Sequence, residues 1–124
     1  MRVLDLTRVL AGPVCAMMLG DMGADVLKVE PVGSGDDTRT WGPPFLGGES
    51  AYFLGANRNK RGMTLNMALP AGQDVLARLI TQSDVLVENF RTGTLARWGF
   101  DEAWFDAHAP RVVRCSITGY GTTG

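Results

Sequence analysis

Metal-ligand material is scarce in this chain, which has one histidine and only two cysteines, Cys15 and Cys115, far apart and without ligand spacing. A zinc site and a disulfide framework are thereby disfavoured, and both thiols read as reduced core residues. A surplus of charge is also missing. With 12 Lys plus Arg against 13 Asp plus Glu, the formal net charge is -1, so no global field draws in nucleic acid and any anion site has to be local. No apolar run approaches the roughly 20 residues that span a bilayer, and the first residues have a strand pattern where a signal peptide would have a charged head and an apolar core. These absences lead to the expectation of a cytoplasmic protein with no metal, no nucleic-acid partner and no membrane partner. Catalytic signatures are missing too: the 13 carboxylates show no two-acid pairing, and no Ser or Cys sits in a nucleophile elbow.

What is present suits one packed domain: 124 residues, 45% hydrophobic and 20% charged. The 16 glycines fall at the ends of apolar segments and punctuate turns. Val3, Leu4 and Leu6 form a strand, Gly12-Pro13 a turn, and Val14 to Met22 a helix with Pro13 in its first turn and Gly20 or Gly23 as its stop. Val26, Leu27 and Val29 make a second strand ending at Pro31, so the opening is a βαβ unit. Residues 32–49 read as a long surface loop without apolar period, followed by a short helix capped by Ser50 and a strand near Met63 to Met67. Pro70 opens a helix with Val75, Leu76, Leu79 and Ile80 on one face. Val85 to Val87 form a buried strand, Thr92 to Trp98 and Ala103 to His108 two short helices, and Val112, Val113, Cys115 and Ile117 the last strand. The fold class is therefore α/β, a mostly parallel sheet with flanking helices. The last strand runs into a Gly-rich tail with no covering helix, which predicts a longer natural polypeptide.

Ligands of such sheets gather beyond the carboxyl ends of the strands, and that rule points to Thr7 to Pro13, Glu30 to Trp41, Glu88 to Arg97 and Thr118 to Gly124. The first of these lacks the spaced glycines of a dinucleotide fingerprint, which disfavours nicotinamide and flavin chemistry. Small Ala11 and Gly12 suit close approach of a ligand to a helix start, or simply a tight turn. Asn89 can donate and accept, Phe90 offers an aromatic face and Arg97 a phosphate-binding fork; taken alone, the three fit better as a turn Asn, a core Phe and a solvated Arg. Arg58, Lys60 and Arg61 form a local basic patch, either a phosphate holder or a solvated turn. Gly33 to Arg39 reads as a flexible loop whose carboxylates repel anions. His108 reads as a helix-terminal cation.

Read in order, several motifs resemble those of the family III CoA-transferases, which take in formyl-CoA and carnitine CoA-transferases and the α-methylacyl-CoA racemases. They are Val3 to Thr7 with Ala11-Gly12-Pro13, Leu19 to Pro31, Gly33 to Arg39, Asn57 to Arg61, Asp84 to Phe90, Gly93 with Leu95, and Gly119-Tyr120-Gly121 before Thr123-Gly124. The resemblance covers essentially the whole chain. It implies that residues 1–124 are the amino-terminal, Rossmann-like, coenzyme A-binding part of a longer CoA-transferase, with no second domain present and the chain alone inactive. It further implies an interlocked homodimer, with acyl-CoA and carboxylic acid substrates and no metal. The implied chemistry is attack of an Asp carboxylate, located beyond Gly124, on the thioester to give a mixed anhydride and then an enzyme-CoA thioester. Carried over by position, the coenzyme A contacts are Val9, Leu10, Ala11, Leu65, Asn89, Phe90 and Arg97. Leu10 and Pro31 stand where formyl-CoA transferase has Gln and Arg, so phosphate or adenine recognition passes to other cations, with Arg39, Arg58 and Arg97 as candidates. An α-methylacyl-CoA racemase or epimerase, and a non-catalytic coenzyme A-binding fragment, are the alternative readings.

Overall fold

The structure, a computed structural model, describes residues 1–123; Gly124, the end of the tail singled out above, lies outside them. Seven strands and five α-helices follow one another as β1 (Arg2–Asp5), α1 (Ala11–Asp21), β2 (Asp25–Glu30), a 3-10 turn (Asp37–Thr40), β3 (Phe45–Leu46), β4 (Glu49–Ser50), α2 (Ala51–Asn57), β5 (Lys60–Thr64), α3 (Pro70–Thr81), β6 (Val85–Glu88), α4 (Thr94–Arg97), α5 (Glu102–His108) and β7 (Val113–Ser116). Five strands form one sheet in the order β5-β2-β1-β6-β7, and all four pairings are parallel. The chain builds outward from β1 through β2 to β5, then returns to the other side of β1 for β6 and β7. The direction of winding therefore reverses between β1 and β6, and a crevice opens there at the carboxyl ends.

Local chemistry accounts for the element ends. Pro13 occupies the first turn of α1, where its missing N–H leaves no bond unmade. Gly23, at φ +96°, turns the chain out of that helix in a conformation that an L side chain resists. Pro70 is the first residue of α3, and Gly72, Leu76 and Ile80 form its buried stripe at four-residue spacing. Val75, expected on that face, is more than one-third exposed. Asp101 caps α5 by accepting the Trp104 N–H at 2.8 Å.

Two apolar clusters lie on opposite faces of the sheet. Leu4, Leu6, Val29 and Leu86 pack with Leu76 and Ile80 of α3 and Phe105 of α5. Val3, Val26 and Val87 pack with Ala16 of α1, and half-buried Cys15 and Cys115, both free thiols, flank that cluster. Coverage is uneven: β7 lies at an edge with Val113 63% exposed. No helix among the described residues is long and apolar enough to cross a membrane.

Two expectations need correction. The strand expected near Met63 to Met67 starts at Lys60 and ends at Thr64, because its pairing register with Val26 to Glu30 is set by backbone bonds to β2 and not by its own apolar residues. Leu65 and Met67 consequently belong to the connection beyond the carboxyl end of the strand. The stretch 32–49 is likewise more ordered than a surface loop: it contains the 3-10 turn and a β3–β4 hairpin, and Gly35, Asp36 and Thr38 are buried. None of its buried residues is hydrophobic, so hydrophobic periodicity had no means of revealing them.

Candidate functional site

The turn from β1 into α1 is built on charge. Asp5 is fully buried, and its Oδ1 accepts both the Thr7 N–H, at 2.9 Å, and the Thr7 hydroxyl. Its other oxygen pairs with Lys60 Nζ at 2.8 Å. The same ammonium donates to the Pro13 carbonyl at 2.7 Å and Asn57 Oδ1 at 2.9 Å, so all three of its protons have acceptors and strands β1 and β5 are tied to α1 and α2. Burial pushes the Lys60 pKa down, and the Asp5 carboxylate offsets only part of that effect.

A second buried pair stands beside it. Lys28 Nζ donates to the Thr7 carbonyl at 2.8 Å and to Asp36 Oδ2 at 2.9 Å, with both side chains almost wholly out of solvent. Asp36 also accepts from the Thr38 N–H and hydroxyl, at 3.0 and 2.8 Å, and from the Val9 N–H at 3.3 Å. Glu30 accepts the Asp36 N–H and takes both prongs of Arg39, each at 2.7 Å, and the Arg39 guanidinium lies 3.9 Å over the Phe53 ring. Three buried carboxylates thus face three cations, and exposed Glu49 adds a fourth carboxylate 3.7 Å from Arg39 at the margin. Gly33 to Arg39, read from the sequence as flexible, is pinned by this network at its Asp36 to Arg39 end.

Burial raises the pKa of Asp36 and Glu30, but their hydrogen bonds and cations outweigh it and hold both carboxyls below the ordinary range. Between the ordinary carboxylate value, about 4, and the lower folded values, the unfolded chain binds more protons than the folded one. Stability is then lost as pH falls through that window. Urea midpoints measured from pH 7 down to pH 3 should decline below about pH 4, and Asp36→Asn should flatten that decline. A midpoint that rises on acidification would contradict this sign.

Two side chains from distant segments meet at the turn. Val9 has φ +73°, left-handed and unusual for a β-branched residue, and its N–H is the one that Asp36 accepts. Asn89, just past β6, accepts the Arg8 N–H at 3.0 Å through Oδ1 and donates Nδ2 to the Arg8 carbonyl at 2.8 Å. Gly12 then has to be glycine, because a Cβ there would overlap the Thr7 side chain.

A cleft of about 380 Å³ opens at this rim, walled by Arg8 after β1, Pro31 and Val32 after β2, Leu65 to Ala68 after β5, and Phe90, Arg91, Thr94 and Trp98 beyond β6. Phe90 and Trp98 meet edge to face at 5.3 Å. A larger hollow of about 650 Å³ lies over the β6–β7 end of the sheet, and Phe90, Arg91 and Thr94 border both. The described residues put no carboxylate against the guanidinium of Arg8 or Arg91.

Of the seven residues carried over by position, Leu65 and Phe90 line this cleft. Asn89 holds the backbone of a lining residue, and Val9, Leu10 and Ala11 directly follow that residue, with Leu10 and Ala11 exposed. Arg97 is outside the lining, though it donates to the hydroxyl of Thr94, which is part of it, at 3.0 Å. Arg39 and Arg58, offered as alternative cations, are held by Glu30 and Asp21. Arg61 is held by Asp25, so each cation of the basic patch already has a carboxylate. His108 closes α5 with its ring stacked on Trp104. The sequence reading missed Arg8, Lys28, Asp36 and Trp98. A signal existed in β2, where Lys28 and Glu30 alternate on the same face as Val26 in a strand expected to be apolar.

Comparison with known proteins agrees with this architecture. Residues 1–124 match the model of CoA-transferase family III. The chain is 53% identical over 123 residues to the human (Homo sapiens) succinyl-CoA:glutarate CoA-transferase, covering 99% of this chain and 28% of that protein. It is 48% identical over 124 residues to the succinyl-CoA–L-malate CoA-transferase beta subunit of Chloroflexus aurantiacus, covering 99% of this chain and 30% of the relative. A CAIB/BAIF family protein from Brucella suis superposes with a TM-score of 0.92 at 45% identity, over 100% of this chain and 34% of that one. The chain thus spans about three-tenths of the curated relatives it matches. With the family's pattern matched along its entire length and the parallel sheet shared with a solved member at high identity, the chain belongs to CoA-transferase family III.

Proposed function

We propose that residues 1–124 form the amino-terminal, coenzyme A-binding part of an enzyme that moves coenzyme A from an acyl-CoA thioester to a carboxylic acid. The observation that carries this reading is the convergence of four strand ends on one cleft, where two arginines that have no carboxylate partner among the described residues border an apolar slot. Arg8 and Arg91 supply the cations for phosphate that Pro31 does not, and Arg97 on α4 adds a third at the margin. Leu65 and Phe90 supply apolar and aromatic surface for the carrier arm, Val9, Leu10 and Ala11 line its path at the start of α1, and Asn89 braces that turn. Succinyl-CoA is the donor named for the two relatives above, with glutarate or L-malate as acceptor. By extension, short dicarboxylic acids are the substrate class proposed for this protein.

The proposed chemistry uses an Asp carboxylate supplied outside residues 1–124. It attacks the thioester carbonyl, expelling coenzyme A as thiolate and leaving a mixed anhydride. The thiolate then attacks the enzyme-side carbonyl, releasing the donor acid and forming an enzyme-CoA thioester, which the acceptor carboxylate opens in the same two steps reversed. In this scheme residues 1–124 hold the carrier in place while its sulfur is repeatedly released and recaptured. The full-length protein is proposed to act as a homodimer in the cytoplasm. Incubating the full polypeptide with succinyl-CoA and hydroxylamine should yield an aspartyl hydroxamate detectable by peptide mass spectrometry. No adduct, together with solvent deuterium uptake at the acyl α-carbon, would instead support racemase chemistry.

A further inference from the structure

The turn that leads into α1 adopts a conformation its own residues disfavour. Val9 is left-handed at φ +73°, and the crowding between Cβ and the backbone that makes this region rare is worst for β-branched side chains. Three backbone groups in succession are gripped by side chains from elsewhere: Asn89, 81 residues away, binds the Arg8 N–H and carbonyl, and Asp36, 27 residues away, accepts the Val9 N–H. Asp36 is itself fixed by Lys28 and Thr38. The Val9 N–H thus lies 3.3 Å from both oxygens of an anchored, buried carboxylate, and both ends of one amide hold the neighbouring Arg8 backbone of this strained dipeptide.

We propose that Asp36 and Asn89 are positioning residues, a two-sided clamp that holds Arg8 and Val9 in the left-handed turn and so presets the ligand-facing edge of the cleft. This deepens the reading above and rests on the cleft being the coenzyme A site. The clamp acts on backbone shape, so its importance must depend on the residue that resists that shape. Glycine at position 9 adopts positive φ freely, and the clamp should matter less there. A role confined to general packing predicts no such dependence.

The test is a cycle of Asn89→Ala, Val9→Gly and the double variant in the full polypeptide, read by calorimetric titration with free coenzyme A and by amide exchange at residue 9. Asn89→Ala should weaken coenzyme A binding about tenfold and speed exchange at Val9 by a similar factor, the loss expected when a part-buried pair of hydrogen bonds is broken. In the Val9→Gly background the same replacement should weaken binding by no more than about threefold and leave exchange at residue 9 near its starting rate. Equal losses in both backgrounds would overturn the clamp. So would exchange at Val9 that stays within about twofold in Asn89→Ala, where a lost hydrogen bond should be felt. Absence of coenzyme A binding by the parent protein would sink the assignment of the cleft, and the exchange measurements on ligand-free protein would still decide the clamp. Asp36→Asn is read in the same way, with Asn89→Ala carrying the test should that variant fail to fold.

Discussion

Lys28→Met is expected to destabilise the fold by about 3–5 kcal/mol, the effect of removing one partner of a buried ion pair. The residues are 2% and 0% exposed, so the Asp36 carboxylate would lose its ammonium while out of contact with solvent. Methionine fills a similar volume, so the loss would report charge and not a cavity. Two further groups would suffer: the Thr7 carbonyl would lose its donor, and Asp36, on protonating, would hold the Val9 N–H less firmly. Adding Asp36→Asn to Lys28→Met removes the orphaned charge and should regain a large part of the stability in urea unfolding, while coenzyme A affinity stays low. A loss under about 1 kcal/mol for Lys28→Met alone, the range of solvated surface pairs, would show that the network is not as dry as its burial indicates.

Gly72→Ala should be nearly as damaging, at about 2–3 kcal/mol, for a steric reason. A Cβ on Gly72 would run into the Asn66 carbonyl, which is backbone and cannot rotate aside. Asn66 to Ala68 form one wall of the cleft, so relief of that clash must move the wall. Thermal unfolding and coenzyme A titration should therefore worsen together. Gly55→Ala is the internal control: the added methyl meets nothing within 4 Å, and within α2 it should raise stability by about 0.5–1 kcal/mol. If the two variants behave alike, the close approach of α3 to the Asn66 carbonyl is not a packing constraint.

Legibility from sequence followed the kind of force involved. The spacing of Val3, Leu4 and Leu6, of Leu76 and Ile80, and of Val85 to Val87 marks elements whose positions are set by burial of apolar surface, and those elements stand where the pattern put them. Pro13, Gly23 and Pro70 marked helix ends because their dihedral limits act locally. The rule that ligands gather beyond parallel strands directed attention to Thr7 to Pro13, Glu30 to Trp41 and Glu88 to Arg97, each of which contributes to the observed rim. Leu65 and Phe90 were named by resemblance and do meet in one cleft. Arg8 and Trp98 were missed because each looks like an ordinary solvated or core residue until the strand ends are brought together.

The amino-acid sequence by itself determined an α/β chain with a parallel sheet, the approximate places of its helices and its family, because periodicity, backbone limits and ordered motifs are properties of neighbouring residues. Only the tertiary structure decided which charges are spoken for: that Lys60 serves Asp5, that Lys28 serves Asp36, that Asn89 grips Arg8, and that Arg8 and Arg91 border the cleft with no carboxylate partner among the described residues. A pairing between side chains 55 or 81 residues apart depends on where the sheet places them, since hydrogen bonds and ion pairs act over a few ångströms while leaving no period along the chain.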